Sequence, residues 1–287
     1  MRNKQSKIGK IAFWIIVSVM FIYLVFPFYW AINSSFKTEF QLMMTPATFL
    51  PLDPVTHRLS FSLINYQGVF KNPDFMRGIK NSALVACSVT LICLVVGSFA
   101  AFALGKLKFR GKKASLYLIL SMTMFPQISV LTGLYALMNQ FHVNPMLSMI
   151  FSYMIFTLPF TIWVMTSFFK GIPNSLFEAA KVDGATSFQS FRIILIPLAI
   201  PAMVTTGLLA FIAAWNEYLF ALTFTSIDTT ARTVPVVMAM FSGTISRQEP
   251  FGEIMAASIV VTIPLLILIY FFQRRLIEGL TAGAVKG

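Results

Sequence analysis

Six stretches of this chain are too apolar, over too great a length, to sit on the surface of a water-soluble fold. A helix needs roughly 20 apolar residues to cross a hydrocarbon core about 30 Å thick. Runs of that kind fall at residues 11–32, 82–104, 114–138, 147–169, 198–225 and 254–273. Composition agrees: 57% of the residues are hydrophobic and 11% charged, whereas a soluble domain carries about 25% charged residues. The expected fold is therefore an all-α polytopic membrane protein with six transmembrane helices. Residues 1–10 form a basic N-terminus, 11–273 the membrane domain, and 274–287 a C-terminal tail. The first run is long and aromatic and lacks a small-residue cleavage site, so it reads as a span rather than a secretory signal.

The net charge of +12 does not point to nucleic acid, because the basic residues are distributed around the spans instead of gathering on one soluble domain. Arg2, Lys4, Lys7 and Lys10 precede the first run, and Lys106, Lys108, Arg110, Lys112 and Lys113 fill the loop after the second. Lys170, Lys181 and Arg192 lie between the fourth and fifth, and Arg274, Arg275 and Lys286 follow the sixth. Lys and Arg near span ends favour the cytoplasmic side, so both termini are expected inside. The loop at 139–146 has no Lys or Arg, and that at 226–253 has only Arg232 and Arg247 against Asp228, Glu249 and Glu253. Residues 33–80 are a long outer loop with five basic residues, and long loops obey the charge rule poorly. Pro46, Pro51, Pro54 and Pro73 suggest turns and short elements there.

Little in the spans resembles catalytic machinery. No Ser-His-Asp set, H-E-x-x-H pattern or paired carboxylates occur, so no catalytic residue is assigned. Cys87 and Cys93 lie in one span, six residues apart, and read as packing residues; His57 and His142 have no Cys or His neighbours, so no metal site is expected. The phosphate-binding pattern G-x-x-x-x-G-K-[ST] is absent, since Gly105-Lys106 is followed by Leu107. No cofactor is expected in this chain. The one acid within a span is Glu217, in Trp215-Asn216-Glu217-Tyr218. An intramembrane ionisable group is a functional candidate, and two readings stand: Asn216 and Glu217 line a watery pathway, or Glu217 hydrogen-bonds at a helix interface. Gly97, Ala101 and Gly105 form a small-residue strip that lets helices approach closely. Pro126, Pro159 and Pro264 interrupt three spans as bends or hinges.

The polar segment at 170–197 is unlike the rest of the chain. Ser175-Leu176-Phe177-Glu178 has the S-x-x-E form of a capping box, and Thr186-Ser187-Phe188-Gln189 has the T-x-x-Q form of a second. Gly184 stands between them, where a left-handed residue would close the first helix. The expected product is a helix, a glycine turn and a second helix. It suits either docking into a partner, with small Ala179 and Ala180 allowing close approach, or resting on lipid headgroups.

Residue by residue, Glu178-Ala179-Ala180, Gly184, Ile194 and Ile196-Pro197 resemble the EAA motif of the membrane subunits of ATP-binding-cassette importers, with the same spacing. One departure is Ile196 where that family usually has Leu. Asp183-Gly184-Ala185, Trp215-Asn216-Glu217 and the tail from Gly279 to Gly287 resemble the carbohydrate-uptake subgroup, in particular the smaller membrane subunit of maltose-type systems. The resemblance implies a type I importer permease in a bacterial or archaeal cytoplasmic membrane. Its implied partners are a second permease subunit in a heterodimer, two ATPase subunits that bind MgATP, and an extracytoplasmic sugar-binding protein. It assigns Glu178, Ala179, Ala180, Asp183, Gly184, Ile194 and Pro197 to coupling with the ATPase, and Thr281, Ala282, Gly283, Lys286 and Gly287 to a tail contact with it. The competing expectation is a stand-alone ion-coupled secondary transporter.

Overall fold

A computed structural model of the chain describes residues 7–241 and 250–284. In chain order its helices are α1 (Lys7–Ser35), α2 (Glu39–Leu42), α3 (Ile64–Lys71), α4 (Pro73–Lys106), α5 (Lys112–Ser121), α6 (Gln127–Gln140) and α7 (Pro145–Gly171). They continue with α8 (Asn174–Val182), α9 (Ser187–Ser190), α10 (Ile196–Trp215), α11 (Leu219–Phe224), α12 (Val234–Ala239) and α13 (Phe251–Ala284). Extended pairing among the described residues is confined to one isolated bridge between Leu52 and Leu59.

Among the described residues, five helical stretches are long and apolar enough to cross a membrane: Gly9–Ser35, Pro73–Lys106, Pro145–Gly171, Ser187–Trp215 and Phe251–Gln273. A sixth crossing exists if Lys112–Met124 and Gln127–Gln140, bent by 97° at a short break, count as one broken span. The span expected over 114–138 is thus broken at Pro126, one of the three prolines that mark bends or hinges in the sequence. Proline disfavours helical geometry in the residue before it, and Phe125 (ψ 129°) and Pro126 (ψ 129°) are both extended. Pro159 and Pro264, by contrast, sit inside continuous helices.

Three other boundaries differ from the sequence reading. The helix of the second span begins at Pro73 with Asp74 in its first turn, so residues 73–80 are helix rather than loop; proline at the first position and an early acid both favour a helix start. The fifth span ends at Trp215 instead of running to 225, and Asn216 to Tyr218 separate it from α11. The last helix continues past residue 273 to Ala284.

The chain divides into two compact units, Met1–Pro73 with Met240–Ile263, and Asp74–Ala239 with Pro264–Gly287. In the first, Asn65 Nδ2 donates to the carbonyls of Ser35 (2.9 Å) and Lys37 (2.7 Å), tying α3 to the end of α1. A capping box between Thr38 and Gln41 opens α2.

The second unit is built on α4, α7 and α10. Helices in lipid gain little from hydrophobicity against one another and depend on close backbone approach, which the glycine strip supplies. A Cβ on Gly97 would lie 2.9 Å from Thr161 Cγ2, and one on Gly105 would lie 2.9 Å from Phe169 Cβ, with buried Ala101 between them. The strip therefore packs α4 on α7, as its spacing predicts. Cys93 is buried with its sulfur 3.1 Å from Thr157 Oγ1, while Cys87 is exposed.

Candidate functional site

The polar segment folds as a helix, a glycine turn and a helix. At the end of α8, Gly184 takes φ +82°, a conformation that costs a side-chain-bearing residue about 1–2 kcal/mol. Gly184 N–H donates to the Lys181 carbonyl at 3.1 Å and Ala185 N–H to the Ala180 carbonyl at 2.8 Å. This pair of bonds is the Schellman closure of a helix C-terminus. One residue on, Thr186 opens α9 with the expected capping box: Gln189 N–H donates to Thr186 Oγ1 at 3.2 Å, and Thr186 N–H to Gln189 Oε1 at 2.8 Å. The first expected box does not form. Pro173 is the N-cap of α8 and no side chain caps it; proline holds the entry in extended geometry, so the helix starts one residue before Ser175 and Ser175 never occupies the cap.

After α9 the chain passes through one π-helical turn, Phe191–Leu195, before α10. The wider turn adds a residue to the helical path, and Phe191 and Leu195 are both buried in a cluster with Phe102, Met165, Phe169 and Phe177. Ring centroids of Phe191 lie 4.9 Å from Phe102, 5.1 Å from Phe99 and 6.4 Å from Phe169. Phe102 also meets Phe177 of α8 edge-on at 6.1 Å. The loop is thereby joined to α4 and α7 through aromatic rings and to α10 through Ala199 of the same cluster, and such ring pairs add about 0.5–1.5 kcal/mol each beyond area burial. Lys106, at the end of α4, donates to the Ile172 carbonyl at 2.6 Å and to Asn174 Oδ1 at 2.8 Å, fixing the corner between α7 and α8.

What remains free is one face of α8. Glu178, Ala179, Asp183 and Gly184 are exposed, with Val182 at 87%. Ala180 is 7% exposed and packs inward, so of the two alanines only Ala179 can meet a partner. Ile194 is half-buried within the π turn, and Pro197 is exposed near the start of α10. Thr281, Ala282 and Gly283 belong to the final helix, and Lys286 and Gly287 lie outside the described residues.

A second feature lies between α7 and α10. A cavity of about 320 Å³ is lined by Gln127, Tyr153, Phe156, Phe160, Ala214 and Glu217, among others. Tyr153 is 2% exposed and its hydroxyl has no hydrogen-bond partner among the described residues. The Glu217 carboxylate acts on that hydroxyl electrostatically without the geometry of a hydrogen bond. Glu217 also accepts from Phe220 N–H (2.9 Å) and Ala221 N–H (3.1 Å), capping α11. Glu217 thus faces this cavity and also satisfies the backbone where the fifth span breaks. Asn216 does not line the cavity; its amide donates to the Ile212 carbonyl at 2.9 Å. Tyr153 and Gln127 were not among the sequence candidates. The available signal was that Tyr153 precedes Thr157 and Thr161 at four-residue spacing, a polar row along one side of the span.

Among the described residues no group of three or more His, Cys, Asp or Glu side chains could hold a metal ion. Apolar helices long enough to cross a membrane, joined by a helix–glycine–helix turn with an exposed face, define a multi-pass membrane protein. The chain belongs to the family of binding-protein-dependent transport system inner membrane components, whose family model matches residues 93–281. It is 40% identical over 272 residues to the trehalose/maltose transport system permease protein of Thermococcus litoralis, covering 94% of each chain. It is 39% identical to the trehalose transport system permease protein of Mycobacterium tuberculosis, covering 90% of this chain and 97% of that one. It is 34% identical to the sulfoquinovosyl glycerol transport system permease protein of Agrobacterium fabrum, covering 97% and 95%. In fold it matches a chain of a bacterial ABC transporter involved in the import of the acidic polysaccharide alginate, with TM-score 0.81 at 19% identity, covering 96% of this chain and 98% of that one. The fold is thus that of an ABC importer permease, and the protein is a multi-pass component of the inner membrane.

Proposed function

We propose that this chain is the permease subunit of an ATP-driven importer that carries a sugar, of di- or oligosaccharide size, delivered by an extracytoplasmic binding protein. The named relatives that carry trehalose, maltose or a glycosylated glycerol support the sugar class. A second permease completes the pathway, and two separate ATPase subunits bind and hydrolyse MgATP. The basic segments 1–10 and 274–287 lie in the cytoplasm with the loop 170–197, and residues 33–80 lie outside.

The observation that carries this reading is the construction of the loop: Glu178, Ala179 and Val182 are presented outward while Phe177, Ala180 and Phe191 anchor it inward to three spans. A socket on the ATPase that grips the outward face would move α4, α7 and α10 together as a rigid body, which is the displacement alternating access needs. Asp183 and Gly184 set the turn, Ile194 and Pro197 pass the motion to α10, and residues Thr281 to Gly287 make a secondary contact. Tyr153 and Glu217 line part of the sugar pathway.

The test is reconstitution of the chain with and without its companion subunits. Sugar uptake should require the ATPase and ATP, and Gly184→Pro should abolish uptake while the protein still inserts and the ATPase still hydrolyses. Proline fixes φ near −65° and has no N–H, so it can satisfy neither the turn nor the bond to Lys181. Uptake by the chain alone, driven by an ion gradient, would establish the secondary-transporter alternative.

A further inference from the structure

Within the first unit, where α1 ends, a cavity of about 480 Å³ is lined by Trp30, Ser34, Lys37, Glu39, Thr48 and Phe251, among others. Its polar groups are underused. Lys37 is 2% exposed, yet the only hydrogen bond of its ammonium among the described residues goes to the Thr48 carbonyl, leaving two of its three donors unused. No ion pair involves it; the one salt bridge among the described residues joins Arg77 and Asp74. The ammonium stands over the Trp30 ring, 5.3 Å from its centroid. Ser34 is fully buried, and among the described residues neither its hydroxyl nor that of Thr48 has a hydrogen-bond partner. An ammonium and two hydroxyls facing one space without acceptors carry a desolvation cost of several kcal/mol unless an anion answers them.

The position of the cavity restricts what that anion is. Ser34 is the penultimate residue of the first span, and Phe251 is the first residue of the last. Span ends mark the depth of lipid headgroups, where Trp residues also gather. Glu39 on the rim is exposed, so the cavity presents a cation inside and an anion at its mouth. That pairing disfavours a simple anion and suits a zwitterion.

We propose that this cavity is a binding site for the headgroup of a membrane phospholipid bearing an amine. The phosphodiester oxygens accept from Lys37, Ser34 and Thr48; the amine meets Glu39; and Trp30 and Phe251 flank the glycerol. The site uses none of the residues assigned above to the sugar pathway or to the loop at 170–197. Its role is to hold the first span and the segment around Thr48 to the surrounding leaflet.

Native mass spectrometry of the full-length chain, purified with its companion subunits and titrated with phosphatidylethanolamine, tests this directly. One lipid should bind tightly; Lys37→Met should weaken it by about tenfold or more, the loss of one charge-assisted hydrogen bond of about 1.5–3 kcal/mol. Ser34→Ala should weaken it several-fold, and Lys37→Arg should retain most of the binding. Glu39→Gln, at an exposed position, should abolish the preference for phosphatidylethanolamine over phosphatidylglycerol. Equal binding of diacylglycerol, which lacks the phosphate, overturns the proposal. So does displacement of the lipid by inorganic phosphate, which marks a free-anion site, or a co-purifying peptide in its place. Unchanged preference in Glu39→Gln also counts against it, even if Lys37→Met fails to fold.

Discussion

The Lys106 ammonium donates to Asn174 Oδ1 at 2.8 Å, linking the last residue of α4 to the first residue of α8. A lysine that sequence reading counts only as a marker of sidedness is thus a structural clamp, since it also holds the Ile172 carbonyl. Lys106→Met should destabilise the protein by about 1–2 kcal/mol, toward the low end for charge-assisted bonds because the site is partly exposed. Thermal unfolding in detergent measures this. Lys106→Arg should recover part of the loss, and unchanged stability in Lys106→Met would show the corner is held by the aromatic cluster alone.

Packing between α4 and α7 gives a second expectation. A Cβ on Gly105 would meet the Phe169 Cβ, which belongs to a rigid part of the side chain, at 2.9 Å. Gly105→Ala should therefore force the helices apart and cost about 1–3 kcal/mol, as overpacking does. Gly133→Ala is the internal control, because a Cβ there meets nothing within 4 Å and alanine is the better helix former. Unfolding of the two variants side by side should give opposite signs.

At the cavity, stability and transport should part company. Tyr153→Phe removes a buried hydroxyl that makes no hydrogen bond of good geometry among the described residues, with the Glu217 carboxylate as its electrostatic neighbour, so the variant should lose little or no stability. If the hydroxyl serves a passing sugar, uptake should nevertheless slow. Glu217→Gln should lower stability, because the carboxylate accepts from two backbone N–H groups. Measured uptake in Tyr153→Phe at parental rate would remove this cavity from the pathway.

One loop carries a pH expectation. The Thr230 hydroxyl and backbone N–H hold the Asp228 carboxylate below the ordinary value for an aspartate. A depressed folded value means that the stabilisation is present above the ordinary carboxylate range, near pH 4, and is lost as pH falls through the lowered value. Hydrogen exchange, corrected for intrinsic rate, should show Thr230 better protected in the parent than in Asp228→Asn at neutral pH. The difference should vanish in acid.

The features legible in the sequence were those set by local physics. Apolar length located five spans and the region of the broken third, though not all of their ends; Gly184 marked a left-handed closure and Thr186 with Gln189 a helix start, both as found. Hydropathy could not show the break at Asn216 to Tyr218, because Leu219–Phe224 is as apolar as the span before it and the breaking residue, Glu217, satisfies the next helix with its own carboxylate. The inward turn of Ala180 was hidden for a different reason. Two adjacent alanines are equivalent until Phe177 and Phe191 decide which face of α8 meets the core. Lys37, Lys106 and Tyr153 acquire their character only from partners distant in sequence.

That difference between Ala179 and Ala180 also offers the most direct test of coupling. In a background of Cys87→Ser and Cys93→Ala, single cysteines at Ala179→Cys and Ala180→Cys would be treated with a short bismaleimide in the assembled transporter, with a cysteine in the socket of the ATPase subunit. A crosslink is expected from position 179, lost when Gly184→Pro is added, and none from buried position 180. Absence of a crosslink at 179, or labelling of that position from outside intact cells, would contradict that coupling.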